Sequence, residues 1–360
     1  MRAALPASHF SLATPQGIGW WFILMLTING LVGIVAQPHL MAAVGTGKNE
    51  DTCRIGFLYG NFIKRFCTIG WALVGLMTAA MITRGGLPVA ALRDPEDAFG
   101  FACRHWLFPG GVGLLIACVL AANMAGCSAF MVDSGALFTR NFYGKYFAKG
   151  RGDGHYLWIG RLSGLSITLI AVLYSVFFIQ RVLYSFLLTE TMATFVGIGV
   201  FGGIFWRRAN RWGAAASMFA AIATNFAVYQ SRNQRLDHWD PNVFLVALAV
   251  GTVTLVVVSI ATPAEPRAML DSFYGRLQCP SDDGQDWAPA DARKVAEQGR
   301  QLILVNLLHL RRGAAEVPLH LAYRTDLRGF ATGWLIVAGM LLLVVFLFQV
   351  KGIVSSQCAA

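Results

Sequence analysis

The stretch from Trp106 to Tyr143, WLFPGGVGLLIACVLAANMAGCSAFMVDSGALFTRNFY, decides the fold. Its apolar run exceeds the roughly 20 residues that a helix needs to cross a bilayer. Polar side chains nevertheless occupy the second half of the run, at Asn123, Cys127, Ser128, Asp133 and Ser134. Polar groups at membrane depth are costly, so we expect this helix to face the interior of a bundle or a solute path. The pattern is typical of a transport protein.

The composition of the whole chain also indicates a membrane protein. Its 360 residues are 56% hydrophobic and 13% charged, and the apolar residues occur in long blocks. The net charge of +10 does not predict nucleic-acid binding, because the basic residues lie in loops between apolar blocks. The seven cysteines have no metal-like spacing. The sequence contains no Walker loop, HExxH or GxSxG motif, so it does not support an enzyme.

Apolar blocks of spanning length predict an all-α, polytopic fold. The predicted transmembrane helices are 17–38, 57–82, 106–139, 157–180, 182–206, 212–230, 243–262 and 331–350. Lys and Arg are frequent in the loops 140–161 and 207–211, which places these loops in the cytoplasm and both termini outside. The predicted regions are an extracytoplasmic segment 1–16, a membrane bundle of about seven helices 17–262, a cytoplasmic loop with an amphipathic helix 263–330, a final span 331–350 and an extracytoplasmic tail 351–360.

Three stretches carry a resemblance to a known family. They are Gly30 to Gly56, GLVGIVAQPHLMAAVGTGKNEDTCRIG; Ala121 to Tyr143, which ends FTRNFY; and Gly202 to Gly213, GGIFWRRANRWG. Together, in this order and over about residues 17–262, they resemble the sodium:solute symporter family, whose members include sugar, proline and pantothenate carriers. The resemblance identifies the stretches with the sixth, eighth and tenth core helices of that family.

The resemblance implies an inverted-repeat fold of two five-helix repeats, with solute and ion near the midplane where helices break. Only core helices six to ten and peripheral helices are matched, so the implied bundle is partial. We expect a truncated or partial chain that lacks an N-terminal repeat. The alternative is that a separate polypeptide supplies that repeat. The expected partners are the lipid bilayer and a small solute, with no nucleic acid.

The family's eighth helix supplies two adjacent hydroxyls and a backbone carbonyl to a sodium ion, and hard cations prefer such oxygen ligands. By this resemblance Ala125 and Gly126 stand at the hydroxyl positions and Ala122 at the carbonyl position. The missing hydroxyls argue against Na⁺, and leave a sodium-independent, proton-coupled or non-transporting protein as alternatives. The alternative interpretation is that small residues at these positions permit close helix packing. No cofactor is expected.

Two polar residues of the same helix are candidate substitutes for the missing oxygen ligands. Ser128 lies two residues beyond Gly126, which is about 200° around a helix, so it needs a shift in register to reach the same site. Asp133 precedes Arg140, and the sequence is compatible with a structural ion pair or with a proton carrier.

The candidate substrate-binding residues are Asn29, Asn123 and Lys64. By the resemblance, Asn29 lies close to the unwound middle of the sixth helix, and Lys64 matches a position where some sugar carriers place a substrate-binding lysine. Asn123 shares a helical face with Cys127. The alternatives are an interhelical hydrogen bond for Asn123 and a lysine that extends to the cytoplasmic surface for Lys64.

Two further features of the sequence have both functional and structural interpretations. Glu190 is the one acidic residue in the span 182–206, and an intramembrane carboxylate suggests function unless it lies at the outer boundary beside Arg181. The spacing of Gly160 with Gly164, and of Gly199 with Gly203, is typical of helix packing.

The sequence therefore predicts a secondary active transporter in the cell membrane that moves a small polar or anionic solute by alternating access. The alternative is a non-transporting receptor or sensor on the same fold, which the missing hydroxyls favour.

Overall fold

The computed structural model of the chain describes residues 5, 19–48, 50–83, 95–178, 182–232, 239–278 and 324–357. All regular secondary structure in these ranges is helical. The helices are α1 (Trp20–Gly33), α2 (Pro38–Val44), α3 (Glu50–Thr83), α4 (Ala98–Trp106), α5 (Pro109–Leu137), α6 (Asp153–Phe178), α7 (Val182–Phe205), α8 (Arg211–Ser231), α9 (Pro241–Ala261), α10 (Arg267–Gln278) and α11 (Arg324–Gln357). The amphipathic helix predicted within 263–330, over residues 292–312, lies outside the described residues.

Several of these helices are long and apolar enough to cross a membrane. The candidate spans are Ile55–Thr83, Pro109–Phe147, Asp153–Phe177, Val182–Phe205, Pro241–Ala261 and Leu327–Phe346. A seventh arises if Trp20–Ala36 and Pro38–Val44, which meet at a bend of 63°, form one broken span. Helix α8 covers the predicted span 212–230 but is not among the candidate spans of the described chain. The prediction of an all-α, multi-pass membrane protein is confirmed.

The predicted span 106–139 differs from the structure at both ends. Trp106 ends the short helix α4, and α5 begins only at Pro109, which stands in the first turn where a missing N–H costs nothing. Beyond Leu137 the helix continues as a π-helical segment, Phe138–Phe147. The turn after it is held by Tyr156, whose hydroxyl donates to the Ala148 carbonyl at 2.6 Å.

The chain divides into two compact units. The first comprises residues 1–45 and 74–264, and the second comprises residues 46–73 and 265–360. Within the second unit, α11 approaches α3 at one point, where a Cβ added at Gly333 would be 3.4 Å from the ring of Phe62. Helices α1, α2 and α4 to α9 lie within the first unit.

The apolar core of the first unit lies among α1, α7, α8 and α9. Its buried members are Met25, Leu187, Phe195, Ile198, Ala221, Trp239, Phe244, Ala247 and Leu255. The Phe195 and Phe244 rings stack with centroids 6.4 Å apart, and Trp239 lies 5.7 Å from Phe244. This core fixes α7 between α1 on one side and the α8–α9 pair on the other.

Glycines set the closest approach between α1 and α7. A Cβ on Gly197 of α7 would overlap the Val32 carbonyl of α1. On the opposite side, a Cβ on Gly33 would lie 2.9 Å from the Thr194 hydroxyl. The two backbones therefore touch directly, which is how small residues hold helices together in membranes.

Glycines also set the closest approach between α5 and α6. A Cβ on Gly135 would lie 2.6 Å from the Gly160 carbonyl, and one on Gly164 would lie 2.8 Å from the Met131 carbonyl. Gly160 and Gly164 are thus packing residues, as their spacing predicts. In the other predicted pair, a Cβ on Gly199 would lie 3.1 Å from the Ala214 Cβ of α8, while a Cβ on Gly203 would meet nothing within 4 Å.

The loop between α7 and α8 binds the end of α9. The Asn210 side chain accepts a hydrogen bond from the Gly213 amide at 2.8 Å, which caps α8. Its amide nitrogen donates to the Thr262 hydroxyl at 2.7 Å and to the Pro263 carbonyl at 3.0 Å. Arg208 donates to the Thr262 carbonyl at 2.8 Å. The carbonyls at the end of a helix have no hydrogen-bond donor within the helix. The side chains of Arg208 and Asn210 supply donors to the carbonyls of Thr262 and Pro263, directly after α9.

Glu96, in the 3₁₀ turn before α4, caps the start of α7. Its carboxylate accepts from the amides of Val182 at 3.0 Å and Leu183 at 3.2 Å. A carboxylate at this position also complements the helix dipole.

Glu96→Ala is expected to raise amide hydrogen exchange in the first turn of α7 by a factor that corresponds to about 1 kcal/mol of lost capping. Mass-spectrometric exchange on the purified chain measures this effect. The control is Asp97→Ala, whose side chain caps no helix. Equal exchange in the wild type and Glu96→Ala would contradict the assignment.

Candidate functional site

The bend between α1 and α2 falls at Gln37. Pro38 has no N–H to donate, and it disfavours a helical conformation at the residue before it. Gln37 accordingly adopts the extended values φ −89°, ψ 105°. By the family resemblance, Asn29 is expected close to the unwound middle of this span. That placement is wrong, since Asn29 lies inside the regular helix α1 and the break follows eight residues later.

Polar side chains gather where α1 and the bend contact α7. We call Asn29, Gln37, Glu190 and Thr194 the α1–α7 polar cluster. Asn29 and Thr194 are buried, with 1% and 0% of their surfaces exposed, whereas Gln37 and Glu190 are half-buried. The cluster therefore runs from the sealed interface to a partly open position at the bend.

Hydrogen bonds join the members of the cluster across the two helices. The Thr194 hydroxyl lies 2.6 Å from Asn29 Oδ1, 2.7 Å from the Asn29 carbonyl and 3.0 Å from the Glu190 carbonyl. A hydroxyl has one proton, so it donates to one of these oxygens at a time. At the bend, Gln37 Nε2 donates to Glu190 Oε2 at 2.9 Å. The interface is consequently rich in oxygen atoms.

A second set of polar contacts fixes α7 and α1 to the chain around the start of α9. The Trp239 indole donates to the Thr191 hydroxyl at 2.9 Å, and the Trp21 indole donates to Asn242 Oδ1 at 3.0 Å. Both contacts anchor aromatic rings beside the core and have a structural role.

The polar residues predicted on α5 lie elsewhere. Asn123 and Ser128 are exposed and donate to carbonyls of their own helix, those of Val119 at 3.0 Å and Met124 at 2.7 Å. We expected this face to be covered by protein, but within the described residues no other element covers these two side chains. Asp133 is half-buried, and no hydrogen bond or ion pair links it to another described residue.

The positions that the resemblance assigns to an ion are also on α5. Ala122 and Ala125 are exposed, and a Cβ added at Gly126 would meet nothing within 4 Å. No side-chain oxygen occurs at these positions, so the residues present do not fit the hydroxyl part of a sodium site. Among the described residues, no group of three or more His, Cys, Asp or Glu could hold a metal ion.

Lys64 lies on α3 in the second unit and is exposed. Of the candidate substrate residues, the structure therefore brings Asn29 into the polar cluster, while Asn123 and Lys64 are exposed side chains on α5 and α3. The pairing of Gln37 with Glu190 was missed. The signals that pointed to it were the Gln-Pro pair and the single acidic residue in an apolar span.

Comparison with known proteins agrees with this architecture. The chain is 29% identical over 197 residues to the osmoregulated proline transporter OpuE of Bacillus subtilis, which covers 54% of this chain and 39% of the relative. It is 26% identical over 262 residues to the high-affinity proline transporter PutP of Bacillus subtilis, covering 70% and 52%. It is 24% identical over 280 residues to a sodium/proline symporter of Haemophilus influenzae, covering 73% and 52%.

The chain spans about half the length of these relatives or less. The model of the sodium:solute symporter family matches residues 7–221, which include all three stretches that carry the resemblance. The match covers more than half of the chain's length, so the chain belongs to the sodium:solute symporter family of multi-pass membrane transport proteins.

Proposed function

We propose that this chain is part of a secondary active transporter that moves a small polar solute across the cell membrane by alternating access. The main support is the broken helix α1–α2, packed through a polar cluster against α7. Breaks of this kind supply the solute and ion sites of many secondary transporters. An anionic solute fits less well, because the charged member of the cluster is itself a carboxylate.

Proline is the solute to test first. The relatives reported above are named as proline transporters or symporters. A zwitterion such as proline has both donors and acceptors, and the partly open end of the cluster offers the amide of Gln37 and the carboxylate of Glu190 to receive them.

Radiolabelled L-proline uptake by the full chain in proteoliposomes, with an inward sodium gradient, tests this proposal. Asn29→Ala is expected to lower uptake by about tenfold or more, because a buried polar partner is lost. Asn123→Ala is expected to lower it less, since that side chain bonds to its own helix. The control is Asn61→Ala, an exposed asparagine bonded to the Phe57 carbonyl.

Unchanged uptake in both Asn29→Ala and Asn123→Ala would remove these residues from the solute site. No uptake by the wild type in the presence or absence of sodium would contradict the transport proposal. Size-exclusion chromatography of each variant separates a lost site from a misfolded protein.

A receptor or sensor on the same fold is the second candidate. It is favoured by Ala125 and Gly126, which lack the hydroxyls that the family uses to bind sodium. Solute-dependent thermal stabilisation without measurable flux would support the sensor, and stabilisation together with flux would support the transporter.

A further inference from the structure

The segment that follows α5 lies at the depth of the lipid headgroups. Helix α5 has 29 residues, so it is roughly 44 Å long, close to the roughly 40–45 Å of a bilayer with its headgroups. Exposed aromatic side chains, Trp106 and Phe108, precede its start, and the π-helical segment Phe138–Phe147 follows its end. The two ends of α5 therefore correspond to the two surfaces of the membrane. We call residues 138–158, at the second of these surfaces, the α5–α6 junction.

One side of the α5–α6 junction consists of aromatic rings. Hydrogen bonds in a π-helix join residues five apart, so side chains four or five apart lie close together. The Phe142 ring accordingly has its centroid 5.3 Å from that of Phe138 and 5.8 Å from that of Tyr146, and Phe147 lies 5.5 Å away. Tyr146 and Phe147 are nonetheless 68% and 70% exposed, and Trp158 in α6 is 71% exposed. Exposed rings are favoured at the membrane interface, where one part is apolar and another is hydrated.

Basic side chains lie beside these rings. Four of them are exposed, namely Arg140, Lys145, Lys149 and Arg151. The ammonium group of Lys145 lies 5.6 Å from the centre of the Tyr146 ring, which places a cation directly beside the aromatic side. The one acidic residue in the sequence of the junction is Asp153, and no ion pair joins it or the four basic side chains to another described residue. The junction thus carries positive charge that the described chain does not neutralise.

Hydrogen bonds fix the loop between the π-helical segment and α6. The Tyr156 hydroxyl donates to the Ala148 carbonyl at 2.6 Å and accepts from the Arg151 amide at 3.3 Å. The Tyr143 hydroxyl lies 3.0 Å from His155 Nε2, within hydrogen-bond distance. Because the loop is tied to the first turn of α6, its basic side chains start from fixed backbone positions. Binding of an anion therefore does not first have to order the loop.

The combination of charge and aromatic rings at this depth fits an anionic lipid leaflet. Clusters of about four or more Lys and Arg directly beside a transmembrane helix attract anionic phospholipids. The lipid phosphates lie at the depth of the basic side chains, and the first carbons of the acyl chains lie at the depth of the exposed rings. A soluble polyanion would complement the charge, but it would not cover rings that face the bilayer.

We propose that the α5–α6 junction binds anionic phospholipids, with its four basic side chains on the phosphates and its exposed rings against the upper acyl chains. The lipid belongs to the leaflet at the end of α5. The junction shares no residue with the α1–α7 polar cluster, and the inference goes beyond the proposed function because it does not depend on transport.

The test measures lipid binding to the purified full chain by native mass spectrometry in a neutral detergent. Dioleoylphosphatidylglycerol, dioleoylphosphatidylcholine and glycerol 1-phosphate are titrated separately. The wild type is expected to bind phosphatidylglycerol about tenfold or more tightly than phosphatidylcholine. In the triple variant Lys145→Gln/Lys149→Gln/Arg151→Gln, the half-maximal concentration of phosphatidylglycerol is expected to rise by about a hundredfold, from about fivefold for each basic side chain.

Two controls separate charge at this place from charge in general. Lys145→Arg/Lys149→Arg keeps the charge and should retain the wild-type preference. Arg104→Gln removes an exposed basic side chain before the start of α5, at the opposite end of that helix, and should also retain it. Size-exclusion chromatography compares the folding of the variants. If the triple variant does not fold, Lys145→Gln alone is expected to raise the half-maximal concentration by about fivefold.

Several results would overturn the inference. They are equal binding of the two lipids by the wild type, and equal binding of phosphatidylglycerol by the wild type and the triple variant. Binding of glycerol 1-phosphate as tight as that of phosphatidylglycerol would overturn it as well, since the surface would then bind a free anion. So would a single-stranded oligonucleotide that binds equally tightly and loses binding in the triple variant, since it would assign the surface to nucleic acid. The measurement requires no flux, so a chain that binds phosphatidylglycerol without uptake of proline would count against the proposed function only.

Discussion

Replacing Gly197 by alanine is expected to destabilise the chain by about 3 kcal/mol, the upper part of the range for an overpacked interior. The added methyl group would overlap the Val32 carbonyl of α1, and a backbone atom cannot move aside as a flexible side chain can. Relief therefore requires separating α1 from α7, which would also lengthen the bonds between Thr194 and Asn29. Thermal or denaturant unfolding of the purified chain measures the loss.

The matched control is Gly203→Ala on the same helix. A Cβ there would meet nothing within 4 Å, so the substitution should be neutral or stabilise by about 0.5–1 kcal/mol through helix propensity. The two glycine substitutions thus have opposite expected signs. Equal effects would show that the α1–α7 contact does not limit stability.

Asn210→Ala is expected to cost about 2–4 kcal/mol, since it removes an N-cap and also leaves buried acceptors without a donor. The side chain is 4% exposed and joins the start of α8 to the residues that follow α9. Thermal or denaturant unfolding of the purified chain measures this loss. A decrease in the free energy of unfolding below about 0.5 kcal/mol, the lower limit for the loss of a cap alone, would contradict this role.

Asn210→Asp separates the two halves of the interaction. Aspartate still accepts from the Gly213 amide but cannot donate to the Thr262 hydroxyl or the Pro263 carbonyl. A loss nearly as large as for alanine would assign the stability to the α9 side, whereas a small loss would assign it to the cap of α8.

The helices themselves were readable from the sequence, because a bilayer demands long uninterrupted apolar runs. The predicted spans 182–206 and 243–262 agree with α7 and α9 to within two residues. Short elements were less accessible. Helix α4 has only nine residues, and the π-helical continuation of α5 leaves no mark in the apolar pattern.

The candidate site was only partly predictable. Pro38 is a visible helix breaker in the sequence, yet the family resemblance drew attention to Asn29, eight residues before the bend at Gln37. The partners Gln37 and Glu190 are 153 positions apart, and Asn29 and Thr194 are 165 apart. No local pattern encodes such pairs, since they follow from how Gly33 and Gly197 bring two helices together.

The polar side chains of α5 were prominent in the sequence, but the structure does not bring them into the polar cluster. These side chains stand out in the sequence because hydrocarbon disfavours them, but a hydrogen bond from each of Asn123 and Ser128 to its own helix satisfies their donors locally. Whether such a residue contacts a solute depends on what covers it, and the pattern alone does not encode that.

The bend at Gln37 also has a mechanical consequence. Helix α1 is fixed to α7 by backbone contact, so a tilt of α2 relative to α1 must pivot at the break. The seven residues of α2 form an arm roughly 10 Å long, and a rotation of about 10° moves its far end by about 2 Å. The hydrogen bond between Gln37 and Glu190 lies at this pivot, so it helps to fix the angle between α1 and α2.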